Sequence, residues 1–91
     1  MYYVYAMKSM SHKRIYVGLT KNIKQRIVEH NRGKTKSTRF YLPWEIFYKE
    51  EYSTLVKARG REIQLKSGFG KEFLKSLAYA PVAHKDRAAV S

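Results

Sequence analysis

The chain alternates between two hydrophobic periodicities, and three segments follow the period of two that is typical of strands. Residues 2–7 and 15–19 are rich in aromatic and β-branched side chains, which favour strands, and the polar segment between them predicts a hairpin. A third strand is predicted over residues 44–52. On that strand three residues are expected on one face and three on the other, namely Trp44, Ile46 and Tyr48 against Glu45, Phe47 and Lys49.

Helical periodicity first appears after the second strand. Asn22 is a good N-cap, and Gln25 three residues later is its expected reciprocal partner. Asn31 and Gly33 supply the stop signal. An apolar stripe facing the core is predicted at Ile23, Ile27 and Val28.

Two more helices are predicted after the third strand. Ser53 or Thr54 caps the first of them, which ends at Gly68, and a short helix follows over residues 71–77. The element order is therefore strand, strand, helix, strand, helix, helix. It predicts an α+β fold with a small, mainly antiparallel three-stranded sheet flanked by helices.

Length and composition restrict the classes of function. Ninety-one residues without cysteine predict one domain and exclude disulfide scaffolds and thiolate zinc sites. We expect the folded domain over residues 1–78 and a flexible tail over residues 79–91. No secretory signal or long apolar segment appears, so we expect a soluble cytoplasmic protein without a membrane partner.

Charge is the strongest feature of the composition. Nineteen Lys and Arg against seven Asp and Glu give a net charge of +12, and residues 1–40 hold ten of the bases with Glu29 as their one acid. Such a localised excess predicts a polyanionic partner, and nucleic acid fits better than a membrane surface because no basic amphipathic segment is present. A generally basic, solubilising surface is the alternative. The cations expected to contact nucleic acid are Lys21, Lys24, Arg32, Lys34, Lys36, Arg39 and Lys66.

Four polar residues lie where a small core does not require them. Tyr5 and Tyr16 fall in strands expected to be adjacent, and Arg26 and His30 are four apart on one helix face. A buried tyrosine usually contributes area and one hydrogen bond, and an Arg and His at this spacing are usually a solvated surface. Together near one groove, the four indicate a site.

Glu62 strengthens the case for a site. It shares a helix face with Leu55, Ala58 and Leu65, and a carboxylate in a partly apolar stripe is costly unless it is paired or binds a metal. A single carboxylate completed by waters and a phosphate oxygen suits Mg²⁺ or Mn²⁺. Pairing with Arg59 or Lys66 is the alternative. Gly60, in the same helix, predicts the close approach of a backbone or a ligand.

These motifs resemble the GIY-YIG nuclease superfamily, in particular its small single-domain bacterial members, which are distantly similar to the cutting module of the excision-repair incision protein. The two name-giving motifs correspond to Tyr3-Val4-Tyr5 and Tyr16-Val17-Gly18, and the segment "GREIQLK" carries the matching glutamate. The resemblance extends from about residue 1 to residue 77. It implies the fold predicted above and hydrolysis of a DNA phosphodiester with one divalent metal ion.

The resemblance also implies a role for each site residue. Tyr5 and Tyr16 are the paired phenols, one of which helps to deprotonate water. Arg26 holds the scissile phosphate, His30 assists proton transfer or contacts phosphate, and Glu62 holds the metal. The chain departs from several relatives at Leu19, where some have Lys, and near the third helix, where a supporting polar residue, often Asn, is missing.

Alternative functions stay open at this point. A nucleic-acid-binding module that cuts poorly explains the charge as well as a nuclease does, since phosphate contacts carry no sequence information. An adaptor for a larger repair or mobile-element protein is a third hypothesis. An adaptor needs an exposed apolar patch, and the loop "RFYLPW" is a candidate, although Phe40, Leu42 and Trp44 are expected to anchor it to the core. The sequence does not separate DNA from RNA. A homodimer or a protein partner is a further source of specificity.

Overall fold

The computed structural model describes residues 1–79 as a three-stranded antiparallel sheet with three α-helices. The predicted element order and fold class are confirmed. Of the predicted tail, Tyr79 follows the last helix and residues 80–91 lie outside the described residues. The elements are β1 (Tyr2–Ser9), β2 (Ile15–Thr20), α1 (Ile23–Asn31), β3 (Trp44–Tyr52), α2 (Leu55–Lys66) and α3 (Gly68–Ala78), with a short 3-10 helix at Arg39–Tyr41.

The sheet has the order β2-β1-β3, so β1 is central and β2 is an edge strand. Tyr5 pairs with Gly18 on one side and with Lys49 on the other. The pairing with β3 shifts register between Ala6 and Met7. The predicted alternation along β3 is therefore wrong at one position, because the irregularity brings Tyr48 and Phe47 both against the core on the face opposite Trp44.

Each face of the sheet has its own core. On one face, Tyr5, Met7 and Trp44 pack with Ile23 and Ile27 from α1. On the other face, helices α2 and α3 cover β1 and β2 with an apolar cluster. That cluster consists of Val4, Ala6, Val17, Ala58, Leu65 and Leu74. The molecule is thus a three-layer sandwich with α1 on one side of the sheet and α2 and α3 on the other.

The caps explain where the helices begin. The side chains of Asn22, Thr54 and Ser67 accept hydrogen bonds from backbone N–H groups of the first turns of α1, α2 and α3. Two predictions about caps were wrong in detail. The Gln25 side chain donates to Glu29 rather than back to Asn22, and α3 begins at Gly68 instead of residue 71 because Ser67 caps it.

Three apolar residues differ from their predicted environment. Val28 is 46% exposed, so the buried stripe of α1 consists of Ile23 and Ile27 without it. Phe40 is 70% exposed and does not anchor its loop, whereas Leu42 and Trp44 do pack against the core. Leu55, at the start of α2, is also partly exposed.

The close approach predicted at Gly60 occurs at Gly70 instead. A Cβ added at Gly60 meets no atom within 4 Å, because this residue lies on the exposed face of α2. At Gly70 the same atom would lie 2.3 Å from the carbonyl oxygen of Gln64. Gly70 therefore permits the sharp corner at which α3 folds back on α2. Within residues 1–79, no helix is long and apolar enough to span a bilayer.

Candidate active site

A buried chain of hydrogen bonds lies on the α1 face of the sheet. The Tyr5 hydroxyl is 3.0 Å from His30 Nε2, and His30 Nδ1 is 2.9 Å from Thr38 Oγ1. Thr38 Oγ1 in turn donates to the Thr35 carbonyl at 3.4 Å. The threonine oxygen therefore accepts from Nδ1–H, which leaves Nε2 to accept from the Tyr5 hydroxyl. Tyr5, His30 and Thr38 are at most 1% exposed.

The surroundings of this chain keep its members neutral. Burial raises the pKa of Tyr5 from 10.0 to about 12, with smaller effects from Arg26, which lowers it, and from Tyr16 and Glu62, which raise it. Burial, reinforced by the charge of Arg26, lowers the pKa of His30 from 6.5 to about 4. At neutral pH the pair is therefore a phenol donating to an uncharged imidazole.

Tyr16 is the partly accessible phenol of the site. Its ring centroid lies 5.1 Å from that of His30 and 6.4 Å from that of Tyr5. Tyr16 is half-buried, whereas Tyr5 is 1% exposed. Gly18 allows the Tyr5 side chain to lie against β2, because a Cβ at residue 18 would be 2.4 Å from the Tyr5 hydroxyl oxygen.

Arg26 joins the buried chain to the surface. Hydrogen bonding to Tyr5 raises the pKa of the Arg26 guanidinium, and Glu29 accepts a hydrogen bond from it at 3.0 Å. Arg26 is half-buried, with one side in a surface pocket of about 380 Å³. Lys21, Asn22 and Glu29 also line this pocket. An anion in the pocket would therefore meet a guanidinium and an ammonium group, and it would compete with the Glu29 carboxylate for Arg26.

Glu62 lies on α2, which packs on the face of the sheet opposite Tyr5 and His30. It is 8% exposed, and its two carboxylate oxygens pair with Arg59 at 3.0 Å and Lys66 at 3.2 Å. Both pairings named as alternatives in the sequence are thus present. Over residues 1–79 Glu62 makes no hydrogen bond to Tyr5, Tyr16, Arg26 or His30, yet its charge raises the pKa of Tyr5 along with the larger effect of burial.

A second ion-paired cluster holds α2 against the sheet. Arg61 donates to both carboxylate oxygens of Glu50 on β3, and Tyr48 and Tyr52 also hydrogen-bond to that carboxylate. Burial alone would raise the pKa of Glu50, but the hydrogen bonds from Arg61 and the two tyrosines lower it. Because Arg61 precedes Glu62, this cluster fixes the part of α2 that carries Glu62.

The seven predicted nucleic-acid contacts lie in three places. Lys21 and Lys66 lie at the site, the first beside Arg26 and the second on Glu62. Lys24 is exposed on α1. The remaining four are exposed and lie after α1, on the segment leading to the 3-10 helix, namely Arg32, Lys34, Lys36 and Arg39. None of these four lines the pocket beside Arg26.

Thr38 and Glu29 are site residues that the sequence did not reveal. Thr38 lies in a cationic segment that gives no periodic signal, although it is 0% exposed. Its position is fixed by its backbone carbonyl, which accepts from Trp44 Nε1 at 2.8 Å. Glu29 is three residues after Arg26, and this spacing was a usable signal for an ion pair.

Comparisons with known proteins agree with this fold. A family model described as the GIY-YIG catalytic domain matches residues 1–75. A UPF0213 protein of Staphylococcus epidermidis is 34% identical over 64 residues, which cover 69% of this chain and 78% of the relative. A UPF0213 protein of Streptococcus pyogenes is 31% identical over 86 residues, which cover 93% and 90%.

A solved structure shows the same architecture. The solution NMR structure of a UPF0213 protein from Bacillus halodurans superposes with a TM-score of 0.52 at 30% identity, and the match covers 90% of each chain. Domains of this family are in general nucleases that act on DNA and use divalent metal ions. The chain belongs to the GIY-YIG catalytic domain family.

Proposed function

We propose that this protein is a metal-dependent endonuclease that hydrolyses DNA phosphodiester bonds, selects DNA by structure or weakly by sequence, and serves DNA repair, recombination or processing in the cytoplasm. One observation carries the proposal. The Tyr5 hydroxyl lies 3.0 Å from His30 Nε2, and its ring centroid lies 6.4 Å from that of Tyr16. The pKa of Tyr5 is raised by burial, lowered by Arg26 and raised slightly by Tyr16 and Glu62. Packing of an apolar core alone does not explain why these polar side chains lie close together.

Glu62 fits a metal ion that takes few protein ligands. Within residues 1–79, no three His, Cys, Asp or Glu side chains are grouped closely enough to form a metal cage. Glu62 is a single carboxylate, which suits Mg²⁺ or Mn²⁺ because these ions retain waters and accept a phosphate oxygen. Metal binding requires Glu62 to exchange Lys66 or Arg59 for the ion. Bound there, the ion supplies Lewis-acid polarisation of the phosphate.

Tyr16 is the phenol that we assign to the attacking water. The Tyr5 hydroxyl is committed to His30, is buried, and has its pKa raised to about 12 by burial. Tyr16 is half-buried and touches a surface groove. Tyr5, His30 and Thr38 then act as a rigid support that fixes the Tyr16 ring. With these roles, the accessible phenol of Tyr16 is the general base.

Arg26 and the cations beside it stabilise the charge that develops on the phosphate. Its guanidinium borders the pocket that also contains Lys21, and a bidentate contact to two phosphate oxygens is the geometry that Arg favours. Lys66, once it leaves Glu62, is a further cation for the same phosphate. We propose the phosphate position between Tyr16 and Arg26.

A nucleic-acid-binding module or adaptor that cuts poorly is the second candidate. The observation that favours it is the double pairing of Glu62, which competes with any metal ion. Lys21, Lys66 and the exposed cations after α1 supply phosphate contacts under either function. A homodimer or a protein partner would add specificity in both cases.

Glu62→Gln separates the two functions. Supercoiled plasmid, branched oligonucleotides and an RNA of matched sequence are incubated with Mg²⁺, Mn²⁺ or EDTA. We expect metal-dependent cleavage of DNA by the wild type and a loss of at least about 100-fold in the variant, since one preorganised electrostatic group contributes on that order. Glu72→Gln is the control, because Glu72 is also helical and lysine-paired.

A binding measurement makes the test independent of turnover. Added Mn²⁺ should raise the melting temperature of the wild type and of Glu72→Gln but not of Glu62→Gln. Unchanged cleavage by Glu62→Gln would remove Glu62 from the site. Salt-sensitive DNA binding without cleavage of any substrate would replace the nuclease by the binding module.

A further inference from the structure

A second groove borders the site at Tyr16 and Lys66, and its other residues have no part in the chemistry described above. It has a volume of about 850 Å³ and runs between the edge strand β2 and the ends of α2 and α3. Its floor is apolar, with Val17, Leu65 and Leu74. Tyr16 lies at its border with the site, and Tyr79 lies at the end of α3.

The groove is lined by cations and by no acidic residue. Its charged residues are Lys13, Arg14, Lys66, Lys71 and Lys75. The Arg14 guanidinium packs on the Tyr41 ring at 4.6 Å from its centroid, on the α1 face, so the four lysines supply the charge of the groove. Within residues 1–79, only two of these five form ion pairs, and both pairs are weak restraints. Lys75 is paired with the largely exposed Glu72 at 3.5 Å, and Lys66 is shared with Glu62. Like charges of four lysines along one groove repel one another, and a bound polyanion would neutralise them.

Two residues of the groove also belong to the site. Tyr16 lines the groove, and its ring centroid lies 6.4 Å from that of Tyr5. Lys66 links the groove to Glu62. A strand that places one phosphate between Tyr16 and Arg26 therefore has the groove along its path in one direction.

We propose that this groove, which we call the β2–α3 groove, holds the sugar-phosphate backbone of the cleaved nucleic-acid strand on one side of the scissile phosphate. The inference rests on the proposed function. Lysines supply the phosphate contacts, while the aliphatic floor and Tyr79 contact sugars or bases, which is the composition of single-strand grooves. Edge-strand backbone N–H groups of β2 are further donors. A peptide strand would pair with the same edge but does not call for four lysines.

The test measures DNA binding without catalysis. Fluorescence anisotropy in EDTA compares the wild type with Lys71→Ala/Lys75→Ala and with the control Lys49→Ala/Lys57→Ala. Both doubles remove two exposed lysines, but Lys49 lies on the opposite edge strand and Lys57 in the first turn of α2. The probes are single-stranded oligonucleotides of fixed centre, extended on the 5′ or the 3′ side.

We expect the groove double to bind long oligonucleotides at least about 10-fold more weakly, with the salt slope reduced by about 1.4 for two lost contacts. The control double should lose less than about threefold. Of the 5′ and 3′ extensions of the oligonucleotide, only one should increase the affinity of the wild type. The groove double should not show that increase. Equal losses in both doubles, or equal gains from both extensions, would overturn the proposal.

A small substrate separates this proposal from the proposed nuclease function. Bis(p-nitrophenyl) phosphate is too short to enter the groove while it occupies the site, so the groove double should hydrolyse it at the wild-type rate. If the wild type and both doubles cleave DNA and bind it equally well, the nuclease proposal stands and the groove proposal is refuted. If the wild type cleaves nothing, but gains affinity from extension on one side and the groove double does not, the groove proposal is supported and the nuclease proposal is refuted.

Discussion

The two faces of the sheet hold their functional residues by different means. On the α1 face, Tyr5, His30 and Thr38 are buried and joined by hydrogen bonds of fixed direction. On the α2 face, Glu62 is held by ion pairs to Arg59 and Lys66, whose side chains are more than half exposed. Buried hydrogen-bond networks are rigid, whereas exposed ion pairs exchange readily.

This difference suits the two kinds of task in the site. A phenol that positions water needs fixed geometry, and the α1 face supplies it. A carboxylate that takes up a metal ion must release its present partners, and the α2 face permits that exchange. The cluster of Arg61 and Glu50 holds the helix in place while the Glu62 side chain changes partners.

Arg26→Ala should produce a large effect on turnover. We expect cleavage to fall about 10²- to 10³-fold, since Arg26 is proposed to stabilise the developing phosphate charge. The free energy of unfolding should fall by less than about 1 kcal/mol, because the pair with Glu29 is about one-third exposed. Plasmid cleavage and urea unfolding provide the two measurements. Glu29→Gln, which keeps the guanidinium, is the control, and equal losses of activity in both variants would contradict this role.

Lowering the pH should reduce the free energy of unfolding through His30 on the α1 face. The pKa of His30 is lowered by burial, with a contribution from Arg26, from 6.5 to about 4, so the unfolded state binds the proton more tightly. Stability is therefore full above pH 6.5 and declines as the pH falls towards 4, by about 3 kcal/mol in total.

Urea unfolding between pH 5 and 7 measures this decline. His30→Gln should flatten it, while His12→Gln, which alters an exposed histidine, should not. The window lies above the range in which the carboxylates with lowered pKa values, Glu29 and Glu50, take up protons. A decline of the same steepness in His30→Gln would show that the imidazole is not the titrating group.

The exposed side of α2 should tolerate a change that the corner with α3 does not. Gly60→Ala should raise the free energy of unfolding by about 0.5–1 kcal/mol, because a Cβ there meets no atom and the unfolded chain loses entropy. Gly70→Ala should destabilise the protein, since its Cβ would meet the Gln64 carbonyl. Thermal unfolding measures both, and a loss at Gly60 would show that the helix backbone is contacted there.

The sequence predicted the α+β fold because its strands, caps and turns each carry a local signal. Asn22 and Thr54 cap their helices as expected, and the paired tyrosine motifs fall on adjacent strands. The register shift beside Ala6 has no such signal, so the face of Tyr48 was mispredicted.

The candidate site was predicted only in part, for a physical reason. Helical spacing revealed Arg26 and His30, and an apolar stripe revealed Glu62, but burial of a polar side chain depends on distant residues. Thr38 is buried because Trp44 Nε1 donates to its carbonyl. The groove cations Lys71 and Lys75 read as an ordinary helix surface until β2 is placed beside them.

The contrast between the two tyrosines is the most direct test of the account. Tyr16→Phe and Tyr5→Phe are compared for turnover on plasmid and for thermal stability. We predict that Tyr16→Phe loses turnover at least about 100-fold with an unchanged melting temperature. Tyr5→Phe should lose about 1–3 kcal/mol of stability, because the buried His30 Nε2 is left without a donor. Full turnover in Tyr16→Phe, with the loss of activity in Tyr5→Phe and no loss of stability, would contradict the assignment of the accessible phenol to catalysis.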